Sequence, residues 1–280
     1  MDLSRFSEQL ALLAREGSAQ VATVIGARRL SGVIIADEQV LTVSHALPDD
    51  EVQVSGAGLG LRPAQVSGRD LLTDLALLQV PGLSARRTTP LTVAPGRLGE
   101  FVLAVARPQP ERPQVSAGVL MDLGDARTSG VTWRTDARPF PGFSGGLLVN
   151  ASGDWLGMLN AGRVRGELRV VPATEALRVA ALLAETGRVP RGYLGAQCRV
   201  VRLGQDQPGP WGLEVLATEP GSPADRTLIP GDVLTALDDR PLSSVETLLT
   251  AVQTRPGETV GVWILRGGQL QQLAVTLGER

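Results

Sequence analysis

A serine set among glycines, a single histidine, and an aspartate heading an apolar run are the residues of this chain whose types could do chemistry together. Ser144 lies in Pro141-Gly142-Phe143-Ser144-Gly145-Gly146, just ahead of Leu147-Leu148-Val149. Glycines beside a hydroxyl let the backbone take positive φ and turn its N–H groups toward one point, which forms an anion-stabilising pocket next to a nucleophile. A serine attacks only when a base removes its proton and a third group orients that base. His45, after Val40-Leu41-Thr42-Val43-Ser44, is the only histidine in 280 residues, and all 27 basic residues are arginine, so a Ser-Lys dyad is excluded. If Ser144 is a nucleophile, His45 must be its base. Asp74 directly precedes Leu75-Ala76-Leu77-Leu78-Gln79-Val80. A carboxylate at the mouth of a buried strand needs a hydrogen-bonding partner, and His45 is available to it. Backbone N–H groups of Gly142 and Ser144 would then bind the oxyanion.

Each residue also has a purely structural reading: Ser144 as a tight Gly-Ser-Gly turn, His45 as a satisfied residue after an apolar strand, Asp74 as a turn cap. Gly142-x-Ser144-x-Gly146 also matches the nucleophile elbow of α/β-hydrolases. Those enzymes run Ser, Asp, His along the chain, whereas here the histidine comes first. Asp37 could supply an order of Asp, His, Ser, but Asp37-Glu38 reads as a hairpin turn between two strands. Asp70 reads as a solvated turn residue.

The elements that must position these residues are short and β-rich. Strands are expected over 21–25, 32–35, 39–43, 75–80, 101–104, 116–121, 147–149 and 155–159, a pattern of barrels or sandwiches. Arg107-Pro108-Gln109-Pro110-Glu111-Arg112-Pro113 reads as a loop, because proline cannot donate to a ladder. Arg163, Arg165, Glu167 and Arg169 alternate with Val164, Gly166, Leu168 and Val170, the signature of a strand with one wet face. Helical spacing of Leu3, Phe6, Leu10 and Leu13 predicts an amphipathic docking helix ending at Gly17, and 173–184 predicts a second helix stopped by Gly187 and Pro190.

Length allows about two domains, each with its own core. A formal charge of −2 with no basic run gives no support for nucleic acid or an anionic membrane surface as partner. Cys198 is the sole cysteine, which excludes an internal disulfide and a cysteine-based metal site, and no metal or cofactor is expected. Residues 1–20 carry Asp2, Glu8 and Glu16 and lack the pattern of a secretory signal, and no apolar run is long enough to cross a bilayer. As written, the chain is expected to be cytoplasmic; were it trimmed before residue 1, a periplasmic location would be open.

Together the three segments resemble the HtrA (Deg) family of trypsin-like serine proteases. Leu41-Thr42-Val43-Ser44-His45 is similar to the family's Leu-Thr-Asn-x-His. Gly68-Arg69-Asp70 with Thr73-Asp74-Leu75-Ala76-Leu77 follows its aspartate segment, and Thr135-Asp136-Ala137 with Pro141 to Gly146 resembles Thr-Asp-Ala…Pro-Gly-Asn-Ser-Gly-Gly. Val43 and Phe143 stand where the family has asparagine, and Leu147 where it has proline. The resemblance implies a mostly β fold: an N-terminal helix (1–16), a chymotrypsin-like double barrel (17–187), a linker (188–192) and a PDZ domain (193–280). It implies an endopeptidase of unfolded or damaged polypeptides in protein quality control, with His45, Asp74 and Ser144 catalytic and a homotrimeric assembly. It also implies cleavage after small or medium aliphatic residues, with Met158, Leu159 and Asn160 of the acid-free segment 157–161 forming the side-chain pocket. Arg191-Gly192-Tyr193-Leu194-Gly195 resembles the opening of the PDZ domain. Tyr193, Leu194 and Gly195 would hold a peptide C-terminus, and the helix over 245–252 would line its pocket with Leu249 and Val252. A second function class is a catalytically weak, protease-shaped binding protein that acts through this domain, with Phe143 as the feature in its favour.

Overall fold

The computed structural model describes residues 3–56, 60–85, 91–124, 132–161, 166–204 and 209–280. The chain divides into two compact units, 1–189 and 190–280. No helix among the described residues is long and apolar enough to cross a membrane.

The first unit holds two closed six-stranded antiparallel barrels. Barrel one comprises β1 (Val21–Ile25), β2 (Arg29–Ala36), β3 (Gln39–Val43), β4 (Glu51–Ser55), β5 (Arg62–Asp70) and β6 (Leu75–Gln79), in the order β1-β2-β3-β6-β5-β4. Barrel two comprises β7 (Phe101–Gln109), β8 (Arg112–Asp122), β9 (Trp133–Thr135), β10 (Leu147–Asn150), β11 (Trp155–Asn160) and β12 (Leu168–Pro172), in the order β10-β11-β12-β9-β8-β7. Helix α1 (Leu3–Ala19) precedes them and α2 (Ala173–Thr186) follows.

Successive side chains of a strand point to opposite faces, and β3, β6, β7, β10 and β11 read as unbroken apolar runs because both of their faces are largely buried. In β6, Ala76 and Leu78 fill barrel one, while Leu75 and Leu77 join a seam core with Leu103 and Val105 of β7, Leu147 of β10 and Met158 of β11. In β7 the alternate residues Val102, Ala104 and Ala106 fill barrel two. Helix α2 closes the seam with Ala176, Val179, Ala180 and Leu183, and α1 adds Leu13.

Helix α1 docks through Leu10 and Leu13, and Phe6 meets Phe101 edge-on at 5.5 Å between centroids, while Leu3 stays exposed. It does not stop at Gly17. That glycine is buried against β7, where a Cβ would press on Val105 Cγ2 at 3.2 Å, so it marks close approach rather than termination. The expected loop 107–113 is instead the continuation and turn of the β7–β8 hairpin: the register breaks between Ala106 and Gln109, and Pro108 and Pro113 fall in that break, where no ladder bond is asked of them. Of the expected charged strand, residues 162–165 lie outside the described residues, and β12 begins at Leu168, with Arg169 paired to Glu167 at 3.6 Å.

Buried Arg107 ties α1 and barrel one to barrel two. Its Nε donates to the Val21 carbonyl at 2.7 Å, Nη2 to that of Ser18 at 2.6 Å and Nη1 to that of Pro110 at 2.5 Å. Burial lowers its pKa and Glu111 partly offsets this, but a guanidinium remains a cation, stabilised here by three carbonyl dipoles.

The second unit opens with β13 (Gly192–Tyr193), paired to β20 (Gly278–Glu279). Its main sheet holds β14 (Ala196–Arg202), β15 (Trp211–Thr218), β16 (Val233–Leu237), β18 (Thr259–Arg266) and β19 (Gln269–Thr276) in that order, with β17 (Arg240–Pro241) beside β16. Helix α3 (Val245–Gln253) covers it and is started by a capping box in which Ser244 and Thr247 each serve the other's backbone N–H.

Candidate active site

The site is assembled from both barrels. His45 follows β3 and Asp74 precedes β6, strands that are paired from Val43↔Leu75 onward, so the two side chains leave the same end of barrel one. His45 Nδ1 lies 2.6 Å from Asp74 Oδ2, and the His45 backbone N–H donates to Oδ1 at 2.9 Å. This geometry places the proton of neutral imidazole on Nδ1 and leaves Nε2 as the basic nitrogen. Asp74 sits in the left-handed region with a φ of 62°, a conformation that aspartate tolerates better than most residues. Its carbonyl accepts the Ser44 N–H at 2.8 Å. Burial pushes its carboxyl up, but hydrogen bonds from the His45 ring and Asn160, then the imidazole charge and the His45 N–H, outweigh that, so its pKa lies below the ordinary carboxylate value.

Arg69, near the end of β5, fixes the stretch after the histidine by donating to the carbonyls of Leu47 at 2.8 Å and Asp49 at 2.9 Å and to the Asp50 carboxylate at 2.9 Å. Asp70 is not a solvated turn residue. It is buried and accepts the Thr73 hydroxyl at 2.6 Å and the Thr73 N–H at 3.2 Å, shaping the turn that delivers Asp74.

Ser144 comes from barrel two, on the turn before β10. Phe143 N–H donates to the Phe140 carbonyl at 3.1 Å, with Pro141 and Gly142 between them and φ at Gly142 of 88°, a type II turn with its preferred residues. Gly145 also has positive φ, and a Cβ there would collide with the Ser31 carbonyl. The N–H groups of Gly142 and Ser144 donate to no acceptor among the described residues. Phe143 is wholly buried in the core of barrel two, with Leu148, Leu156 and Leu159 around it. Its ring therefore anchors the turn from below.

Asn160, the last residue of β11, and Ala161, which follows it, bring the two halves together. Ala161 N–H donates to Ser144 Oγ at 3.2 Å, and Asn160 Nδ2 donates to Asp74 Oδ2 at 2.8 Å. Two adjacent residues thus touch the hydroxyl and the carboxylate. Among the described residues, Ser144 Oγ makes no hydrogen bond to His45. Of the residues expected to form the side-chain pocket, Met158 is buried in the seam core and Leu159 in barrel two, and the Asn160 amide donates to Asp74.

In the second unit Tyr193, Leu194, Gly195, Leu249 and Val252 line one cleft of about 530 Å³ between α3 and the start of β14. Gly195 has a φ of 78°, and the N–H groups of Leu194 and Gly195 donate to no acceptor among the described residues. Leu249 is half exposed to this cleft, whereas Val252 belongs mainly to the core beneath it.

Comparison with known proteins agrees with this architecture. Residues 30–158 match the trypsin-like peptidase domain and residues 192–277 the PDZ domain. The chain is 29% identical to serine endoprotease DegS of Haemophilus influenzae, with 89% of this chain and 76% of that one covered. It is 32% identical to the putative serine protease HhoA of Synechocystis, over 77% of this chain and 61% of that one. Among solved structures it superposes on the HtrA-type protease AlgW with decapeptide with a TM-score of 0.78 at 26% identity, covering 96% of this chain and 98% of that one. The serine endoprotease from Yersinia pestis matches with a TM-score of 0.77 at 27% identity, covering 96% and 97%. Two closed barrels carrying a serine, histidine and aspartate at their seam, followed by one PDZ domain, make this chain a member of the HtrA family of trypsin-like serine proteases.

Proposed function

We propose that the chain is an endopeptidase in which Ser144 Oγ attacks the scissile carbonyl, His45 Nε2 takes its proton and returns it to the leaving amine, and Asp74 holds the imidazole through Nδ1. The N–H groups of Gly142 and Ser144 receive the oxyanion. The observation that carries this reading is the pair of contacts from Asn160 and Ala161, which set the Asp74 carboxylate and the Ser144 hydroxyl against the last residue of β11 and the residue that follows it. Asp74 stays ionised while accepting three donors, so it stabilises the imidazolium that forms as Ser144 loses its proton.

Substrates are unfolded or damaged polypeptides, in keeping with quality-control proteolysis. The PDZ cleft takes peptide C-termini: the unengaged N–H groups of Leu194 and Gly195 receive the carboxylate, the ligand strand adds beside β14, and Leu249 meets its last side chain. Cleavage follows small or medium aliphatic residues. The test is Ser144→Ala, expected to keep the fold by circular dichroism while losing on the order of a millionfold in turnover of β-casein and all labelling by a fluorophosphonate. Turnover equal to the wild type would refute the nucleophile.

A further inference from the structure

Resting on Ser144 as nucleophile, we propose that Ser31, in barrel one, is the positioning residue of the oxyanion turn in barrel two. Ser31 is completely buried and paired with Thr23 of β1, and its carbonyl accepts the Thr42 hydroxyl at 2.6 Å, so it is a fixed point of the barrel wall. From there it reaches the turn twice. Its N–H donates to the Ser144 carbonyl at 3.0 Å, and its Oγ donates to the Gly142 carbonyl at 2.8 Å.

The direction of the second bond is set by its surroundings. Ser31 Oγ accepts the Arg107 backbone N–H at 2.8 Å, which leaves its single proton for Gly142, whose carbonyl can only accept. The Gly142 carbonyl and the Phe143 N–H are the two ends of one peptide group, and that group lies between the peptides that carry the Gly142 and Ser144 donors. Ser31 holds one end and the Phe140 carbonyl the other. With this middle peptide pinned, the flanking N–H groups cannot rotate away from a common point. The Ser31 hydroxyl therefore acts on transition-state stabilisation without touching substrate.

The experiment compares wild type and Ser31→Ala in the full chain, with a fluorogenic peptide taken from a mapped β-casein cut site, the product acid of that peptide, and its trifluoromethyl ketone, whose hemiketal oxygen occupies the oxyanion position. Expected are a kcat lower by about ten- to hundredfold, KM and product affinity within about threefold, and ketone affinity falling by the same factor as kcat/KM, since only transition-state interactions are lost. An unchanged kcat, unchanged ketone affinity, or a product affinity that falls as far as kcat would overturn the proposal. Should the alanine variant fail to fold, Ser31→Cys, which keeps the volume and a weak donor, is judged by the same three readouts. A wild type that neither cleaves nor labels at Ser144 fails the nucleophile reading instead.

Discussion

Asp74 gathers three donors on one buried carboxylate, two from His45 and one from Asn160. Its pKa is lowered by folding, so it contributes stability that is present above the unfolded value of about 3.9 and lost as pH falls through the folded one. Asn160→Ala removes one of the lowering bonds and raises the folded value. Acid unfolding, followed by fluorescence, should then begin at higher pH than in wild type, with kcat/KM at neutral pH down roughly tenfold. An unchanged acid transition would remove Asn160 from the carboxylate's support. His45, Asp74 and Ser144 were legible in the sequence because the chain offers one histidine and because each sits at the edge of an apolar run. Ser31 and Asn160 were not legible in these roles. Ser31 meets Gly142 across 111 residues and Asn160 meets Asp74 across 86, and no local spacing encodes a contact between two barrels.

At the scale of elements, one close approach decides how a strand and a helix seat. Gly68 in β5 faces the end of α2, where Gly187 caps the helix with a φ of 71° and its N–H on the Leu183 carbonyl; a Cβ on Gly68 would collide with the Gly187 backbone. Gly68→Ala should therefore destabilise the protein by about 1–3 kcal/mol in urea unfolding, because backbone cannot move aside as a side chain can. In β14, burial pushes the Cys198 thiol up from 9.0 to about 11. At pH 8 it should react with a disulfide reagent roughly a hundredfold more slowly in the folded protein than in urea, since thiolate is the reacting form. Equal rates would show that β14 does not shield it. The elements themselves were largely legible from alternation and from glycine and proline. Errors came where those residues serve tertiary contacts: Gly17 lies against Val105, and Pro108 and Pro113 occupy a break in the ladder.

At the scale of the molecule, the division at 189/190 predicts that residues 190–280 fold alone, with their own core around Leu213, Leu234, Val262 and Ile264. That fragment should bind peptides with an apolar C-terminus, and amidating the terminus should weaken binding about tenfold or more by calorimetry, because an amide presents no full charge to Leu194 and Gly195. Equal affinity for acid and amide would exclude carboxylate capture. The site in the first unit belongs to neither barrel: His45 and Asp74 come from one, Ser144, Asn160 and Ala161 from the other. A ribosome has therefore released the base and its partner long before it supplies anything for them to activate. Until residue 172 has emerged and β11 has taken its place between β10 and β12, the growing chain holds a paired imidazole with no assembled target.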